Sequence, residues 1–153
     1  MNGTSDKKFD PALETSRAMV VTILYRQQGE PAAPSADFSD VKQGKWYTAA
    51  INWAASVGVV EGYPDGSFKP EKEISRQEVA TIMYRYSKFQ GDDMSSEGDL
   101  TVFADYEDVT WSKPYMVWAV GEGIINGMNG MLNPGDCALR SQVAAILMRY
   151  CVE

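Results

Sequence analysis

Apolar residues recur at helical spacing in three stretches of the chain. Val79, Ile82, Met83 and Tyr86 fall at i, i+3, i+4 and i+7, and Val143, Ile146, Leu147 and Tyr150 do the same. Val20, Ile23 and Leu24 follow the pattern until polar Gln27 breaks it. Such spacing marks one face of an α-helix. A fourth stripe, Trp46, Ala50, Trp53 and Val57, predicts a further helix, ended by Gly58 in the left-handed conformation that suits glycine. Tyr63-Pro-Asp-Gly-Ser-Phe68 is turn chemistry. Each unit therefore reads helix, turn, helix, and three helices with one shared apolar stripe bury it against each other as a three-helix bundle.

The pattern is a repeat. Phe38-Ser-Asp40 is followed by Trp46, Trp53, Gly58 and Gly62, and Phe103-Ala-Asp105 by Trp111, Trp118, Gly123 and Gly127, both at offsets of 8, 15, 20 and 24 from the phenylalanine. Ser75 to Arg85 matches Ser16 to Arg26 and Leu139 to Arg149. The turn Gly62 to Pro70 matches Gly3 to Pro11, and a third, shorter copy runs from Gly127 to Pro134. Units this small bury too little surface alone, so the repeats must pack together. The expected organisation is one composite domain: the second half of repeat 1 (1–30), a linker (31–37), repeat 2 (38–90), a linker (91–102) and repeat 3 (103–153). The first linker is Pro/Ala-rich and expected to be extended; Gly91 to Leu100 is expected to be the most mobile stretch. Residue 1 falls inside a repeat, which predicts a fragment of a larger secreted protein.

Ser75-Arg76-Gln77-Glu78 has the form of a capping box, with Ser75 accepting from the amide of residue 78 and Glu78 reaching back. Arg76 then occupies the first helical position, as does Arg17 behind Ser16, and Arg140 recurs at the equivalent place. A cation at a helix N-terminus is unfavourable by some tenths of a kcal/mol, roughly. Two explanations stand side by side. In one, the aliphatic stem covers apolar surface while the head pairs with a carboxylate. In the other, free helix amides and the guanidinium form an anion site. Trp46 and Trp111 are likewise open between core residues and platforms for a sugar ring. Asp40 and Asp105 are most simply caps of the first helix of each repeat.

Composition narrows the field. A hydrophobic content of 44% and an aromatic content of 11% fit a packed core. No run approaches the roughly 20 apolar residues that span a bilayer, so no membrane insertion is expected. A net charge of −7 argues against nucleic acid, and an anionic ligand must be held by a few placed cations against the overall field. Histidine is absent, which excludes Ser-His-Asp and Cys-His chemistry. Cys137 and Cys151 are expected before and near the end of one helix. Twelve or so helical residues put them roughly 18 Å apart. A disulfide needs its Cα atoms within about 7 Å. They should not be bonded to each other, and two cysteines are too few for a zinc site. No metal and no cofactor are expected.

Phe-x-Asp, Trp-Tyr, Gly-Val-Val-x-Gly-Tyr-Pro-Asp-Gly-Ser-Phe-x-Pro and Ile-Ser-Arg-Gln-Glu, running from Phe38 to Lys88, resemble the S-layer homology repeat. Phe103 to Tyr150 is a similar, weaker copy, and Gly3 to Arg26 a partial one. The resemblance implies a mainly α, pseudo-threefold, three-pronged domain around a central bundle of the arginine-bearing helices. It implies binding of bacterial cell-wall glycan, a pyruvylated secondary polymer or peptidoglycan-linked polysaccharide, in grooves between repeats, and hence a place at the cell wall or cell surface. The candidate ligand-binding set is Arg76, Arg17, Arg140, Ser75, Ser16, Gly62, Gly127, Trp46, Trp111, Asp40 and Asp105. Met19 and Leu139 depart from the family motif in the first and third copies. Only the middle copy keeps both hydroxyl and acid, so Arg76 is expected to carry more ligand affinity than Arg17 or Arg140. Competing readings are a structural or protein-interaction module without glycan affinity, and a carboxylate-only glycosidase.

Overall fold

A computed structural model describes residues 10–152. The arginine helices form where the apolar stripes lie: α1 (Arg17–Gln27), α3 (Arg76–Gln90) and α5 (Arg140–Val152). Two shorter helices, α2 (Thr48–Ser56) and α4 (Lys113–Gly121), carry the core tryptophans Trp53 and Trp118. The architecture is mainly α; among the described residues, β structure is limited to isolated bridges. The first copy of the turn, from Gly3 to Phe9, lies outside the described residues.

The N-termini of the three arginine helices meet in a closed ring of backbone hydrogen bonds. Thr15 N–H donates to the Ala138 carbonyl at 3.0 Å, Ala138 N–H to Ile74 at 2.8 Å, and Ile74 N–H to Thr15 at 2.8 Å. All three residues are fully buried. This ring lies on the pseudo-threefold axis that the family resemblance implies. Toward the other end, the Tyr86 and Tyr150 rings lie 5.9 Å apart, and Gln28 donates to the Tyr86 hydroxyl at 2.8 Å. The helices therefore run side by side, enclosing Val20, Leu24, Val79, Met83, Val143 and Ile146 in one core.

The short helices do not pack where a helix-turn-helix unit suggests. Within a repeat, α2 and α3 do not form a hairpin. Instead α2 lies on α1 of the preceding repeat, and α4 lies on α3. Aromatic pairs mark both seams: Tyr25 against Trp53 at 5.9 Å, and Tyr84 edge-on to Trp118 at 5.5 Å. Burial on two sides explains why α1 hides Ala18, Val20, Val21 and Leu24 rather than one narrow stripe.

Two local expectations are corrected. Trp46 precedes α2 rather than belonging to it, because the Thr48 hydroxyl accepts from Lys45 N–H at 3.1 Å and donates to the Lys42 carbonyl at 2.6 Å, turning the chain before the helix starts. The 91–102 segment is docked along α4 rather than standing free. Gly98 N–H donates to the Val117 carbonyl at 2.8 Å, and Leu100 is buried. A Cβ on Gly98 would come within 2.6 Å of Val120, so the two backbones approach as only glycine permits.

Candidate ligand-binding grooves

Each arginine helix begins by handing its first amides to the next repeat. Arg17 and Ala18 N–H donate to the Lys72 and Pro70 carbonyls, both at 2.9 Å. Arg76 and Gln77 donate to Asp136 and Pro134, both at 2.9 Å, and Arg140 and Ser141 to Leu13 and Pro11 at 2.8 and 3.2 Å. The third amide of α1 and of α3 is capped by the Ser16 and Ser75 hydroxyls. The first two amides of each arginine helix, invoked for an anion site, are thus already satisfied, because packing in a ring supplies a carbonyl for each. What remains for a ligand is side chain.

The arginine side chains follow the same hand-over. Arg17 Nε donates to the Phe68 carbonyl at 2.9 Å, and Arg76 Nε to Leu132, its counterpart one repeat on, at 2.8 Å. Both arginines are buried. Arg17 pairs with Glu78 and lies 4.7 Å from the centres of the Tyr63 and Phe68 rings. The covered stem with a paired head therefore describes Arg17. Arg76 instead has its Nη1 4.0 Å from the Met128 sulfur, with no carboxylate in ion-pair range among the described residues.

Two grooves result. The Arg17 groove has a volume of about 710 Å³ and is walled by Tyr63, Ser75, Glu78, Arg85 and Trp111. The Arg76 groove, about 160 Å³, is walled by the equivalent Met128, Gln142 and Arg149. Although adjacent in sequence, Ser75 and Arg76 serve different grooves. Arg140 holds the third equivalent position, where the matching turn belongs to Gly3–Phe9, outside the described residues.

Glu78 is the hub of the larger groove. It accepts from the Tyr63 hydroxyl at 2.9 Å and from Ser75 N–H at 3.1 Å, and Lys72 Nζ sits 3.5 Å away. Burial pushes its carboxyl upward, but the Arg17 charge and the hydrogen bonds from Ser75 and Tyr63 outweigh that and hold it below the usual carboxylate range. Arg85 reaches Glu61 at 3.3 Å on the rim. For Arg76, burial pushes the guanidinium below its usual range.

Trp46 and Trp111 are 59% and 55% exposed, so neither is a core residue. Trp111 lines the Arg17 groove; the Trp46 ring lies tilted against Tyr47, 5.2 Å between centres, and borders neither of these two grooves. Asp40 and Asp105 do not cap α2 and α4. Asp40 accepts from Phe68 and Lys69 N–H, both at 2.8 Å, and Asp105 from Leu132 and Asn133 N–H, both at 2.7 Å. They brace the turns whose carbonyls hold Arg17 and Arg76. Gly62 and Gly127 lie on the two groove floors at φ of 79° and 75°, and a Cβ on either would come within 2.5 Å of Phe38 or Phe103. Sequence reasoning did not single out Tyr63, Lys72, Arg85 or Arg149. The available signal was the recurrence of a basic residue at Arg26, Arg85 and Arg149 in the matched segments.

One further cluster lies beyond the ring. Glu14, Glu73 and Cys137 occupy equivalent positions in the three repeats, with ligand atoms within 4.8 Å of one another. The hydrogen bond with Glu73 pushes the Glu14 carboxyl above its ordinary value. Cys137 faces Glu73 at 3.6 Å, while Cys151, at the far end of α5, lies 3.8 Å from Gln27.

The family model of the S-layer homology domain matches residues 37–80 and 102–144, segments that supply much of the lining of both grooves. The chain belongs to the S-layer homology family. Its relatives include the surface-layer 125 kDa protein of Lysinibacillus sphaericus, 34% identical over 97% of this chain and 13% of that protein. The cellulosome-anchoring protein of Acetivibrio thermocellus is 29% identical over 92% of this chain and 33% of its own length. Exoglucanase XynX of the same species is 30% identical over 96% of this chain, but over only 14% of that protein. The chain thus spans a third or less of these relatives. An S-layer homology segment is a module for attachment to the cell wall, located at the cell wall or cell surface.

Proposed function

We propose that this domain anchors the polypeptide that carries it by holding acidic, pyruvyl-bearing wall polysaccharide in the grooves between repeats. The observation that carries the reading is the recurrence of one groove plan: a buried arginine from one repeat set against the turn and helix start of the next. In the larger groove, exposed Trp111 offers a flat apolar face to a sugar ring, while Arg85 and Lys72 supply cations at the edge. A pyruvyl ketal carries a carboxylate, the group that a guanidinium grips in bidentate fashion. The anchoring name of the Acetivibrio relative fits the same reading.

The Arg17–Glu78 pair favours a second reading, in which the arginines are structural and the module binds protein rather than glycan. Sedimentation with purified wall material, native or stripped of its ketals by mild acid, separates the two. Retention by native polymer and loss on stripped polymer is expected. Equal retention on both would remove the pyruvyl group from the proposal, and no retention on either would leave the second reading.

A further inference from the structure

The two grooves are built alike but charged differently: Asn126, Asp136 and Gln142 stand where the Arg17 groove has Glu61, Lys72 and Glu78, and the last of these changes meets the arginine head directly. The third residue of the helix facing each arginine is Glu78 in the Arg17 groove and Gln142 in the Arg76 groove. Both side chains do the same local work: each accepts from the backbone amide three residues earlier, Glu78 from Ser75 at 3.1 Å and Gln142 from Leu139 at 2.9 Å. Only Glu78 then neutralises its arginine. In the other groove Gln142 turns its Nε2 to the Met128 sulfur at 3.0 Å. Among the described residues no acidic side chain lines that groove, and Arg149 adds a second cation at its edge. The two acids whose charge Arg76 feels, Asp136 and Asp105, both lie beyond ion-pair distance, and Asp105, braced under the adjoining turn, already accepts from two backbone amides. Arg76 is thus a buried cation, 5% exposed, on a cavity wall, with no direct ion-pair partner among the described residues, an arrangement that costs free energy until an anion arrives.

We propose that Gln142 makes the Arg76 groove the site for the ligand's carboxylate, whereas Glu78 reserves the Arg17 groove for an uncharged sugar ring beside Trp111. This rests on the glycan reading above and assigns its acidic group to one groove. The difference in volume agrees: about 160 Å³ suits a compact anionic substituent, and about 710 Å³ a longer stretch of polymer. Arg76 thereby keeps the leading role expected from its motif, for another reason. Its advantage is the missing acid across the groove rather than the hydroxyl and acid beside it.

The probe is 2,2-dimethoxypropanoate, a small ketal-borne carboxylate, with its methyl ester as the uncharged control. Amide shifts in the nitrogen-15-labelled protein report each groove separately: Asn126, Gly127 and Ser141 for one, Glu61, Gly62 and Gln77 for the other. The acid should saturate the Arg76 groove at a concentration about tenfold lower than the Arg17 groove, the scale of one charge-assisted contact. Gln142→Glu, nearly the same shape, should erase that advantage, and Glu78→Gln should raise the Arg17 groove toward it. Equal affinity in the two grooves, an unchanged Gln142→Glu variant, or a methyl ester that binds as well as the acid would each overturn the assignment. Wall-polymer sedimentation of the same proteins keeps the two ideas apart. Polymer binding lost with the acid response intact sinks the anchoring reading alone, and polymer binding kept with equal grooves sinks this one alone.

Discussion

Arg17 and Arg76 occupy the same place in their repeats, yet only Arg17 has a carboxylate within ion-pair distance among the described residues. Arg17 and Glu78 form a buried pair whose side chains are 8% and 12% exposed. Removing one member of such a pair strands the other charge, so Arg17→Ala is expected to cost about 3 kcal/mol, measured by denaturant unfolding. A loss below about 0.5 kcal/mol, typical of an exposed pair, would show that Glu78 is solvated. The same pair fixes an acid dependence. Glu78 titrates below its ordinary value of 4.5 in the folded state, so its stabilisation is fully present above that value and is lost as the pH falls through the lower folded one. The melting-temperature gap between the parent and Glu78→Gln should be constant near neutrality and close below pH 4.5. A gap that widens on acidification would contradict the sign.

At the scale of the element, the turns rather than the helices hold the grooves in shape. Each carboxylate oxygen of Asp40 takes one amide, from Phe68 or Lys69, and the Phe68 carbonyl in turn takes Arg17. Asp40→Asn replaces one acceptor with a donor facing an N–H, which should cost about 1–3 kcal/mol and loosen Arg17 as well. Gly62→Ala should cost more than about 2 kcal/mol, since the left-handed backbone and the contact with Phe38 both oppose a methyl group. Chemical denaturation measures both variants, and a neutral Gly62→Ala would mean that the turn can relax. The helices themselves were legible from the apolar period, and the Ser75 capping box from four residues. The partners of Asp40 and Asp105 were not legible, because an aspartate ahead of a helix looks like a helix cap whether it bonds the next turn of chain or a turn 28 residues away.

For the whole molecule, the ring through Thr15, Ile74 and Ala138 ties each repeat to both others. No repeat completes its own helix ends, so the three should unfold together. Melts followed by backbone and by aromatic circular dichroism should superimpose. Ile74→Ala, at a fully buried site, should lower the single transition by about 2–5 kcal/mol rather than split it. Two separated transitions would show independent repeats. The sequence by itself determined the repeat, the helices and their apolar faces, the residues that cap and turn, and the family, because each of these is a local pattern that recurs at fixed spacing. Only the tertiary structure decided that α2 packs mainly on α1, touching α3 through Trp53 and Phe89, that the helix-end amides are spent on neighbouring repeats, and that Ser75 and Arg76 face different grooves. Those outcomes depend on which repeat lies beside which around the axis. Identical local patterns carry no record of that, since a hydrogen-bond donor is satisfied equally well by a carbonyl of its own repeat or of the next.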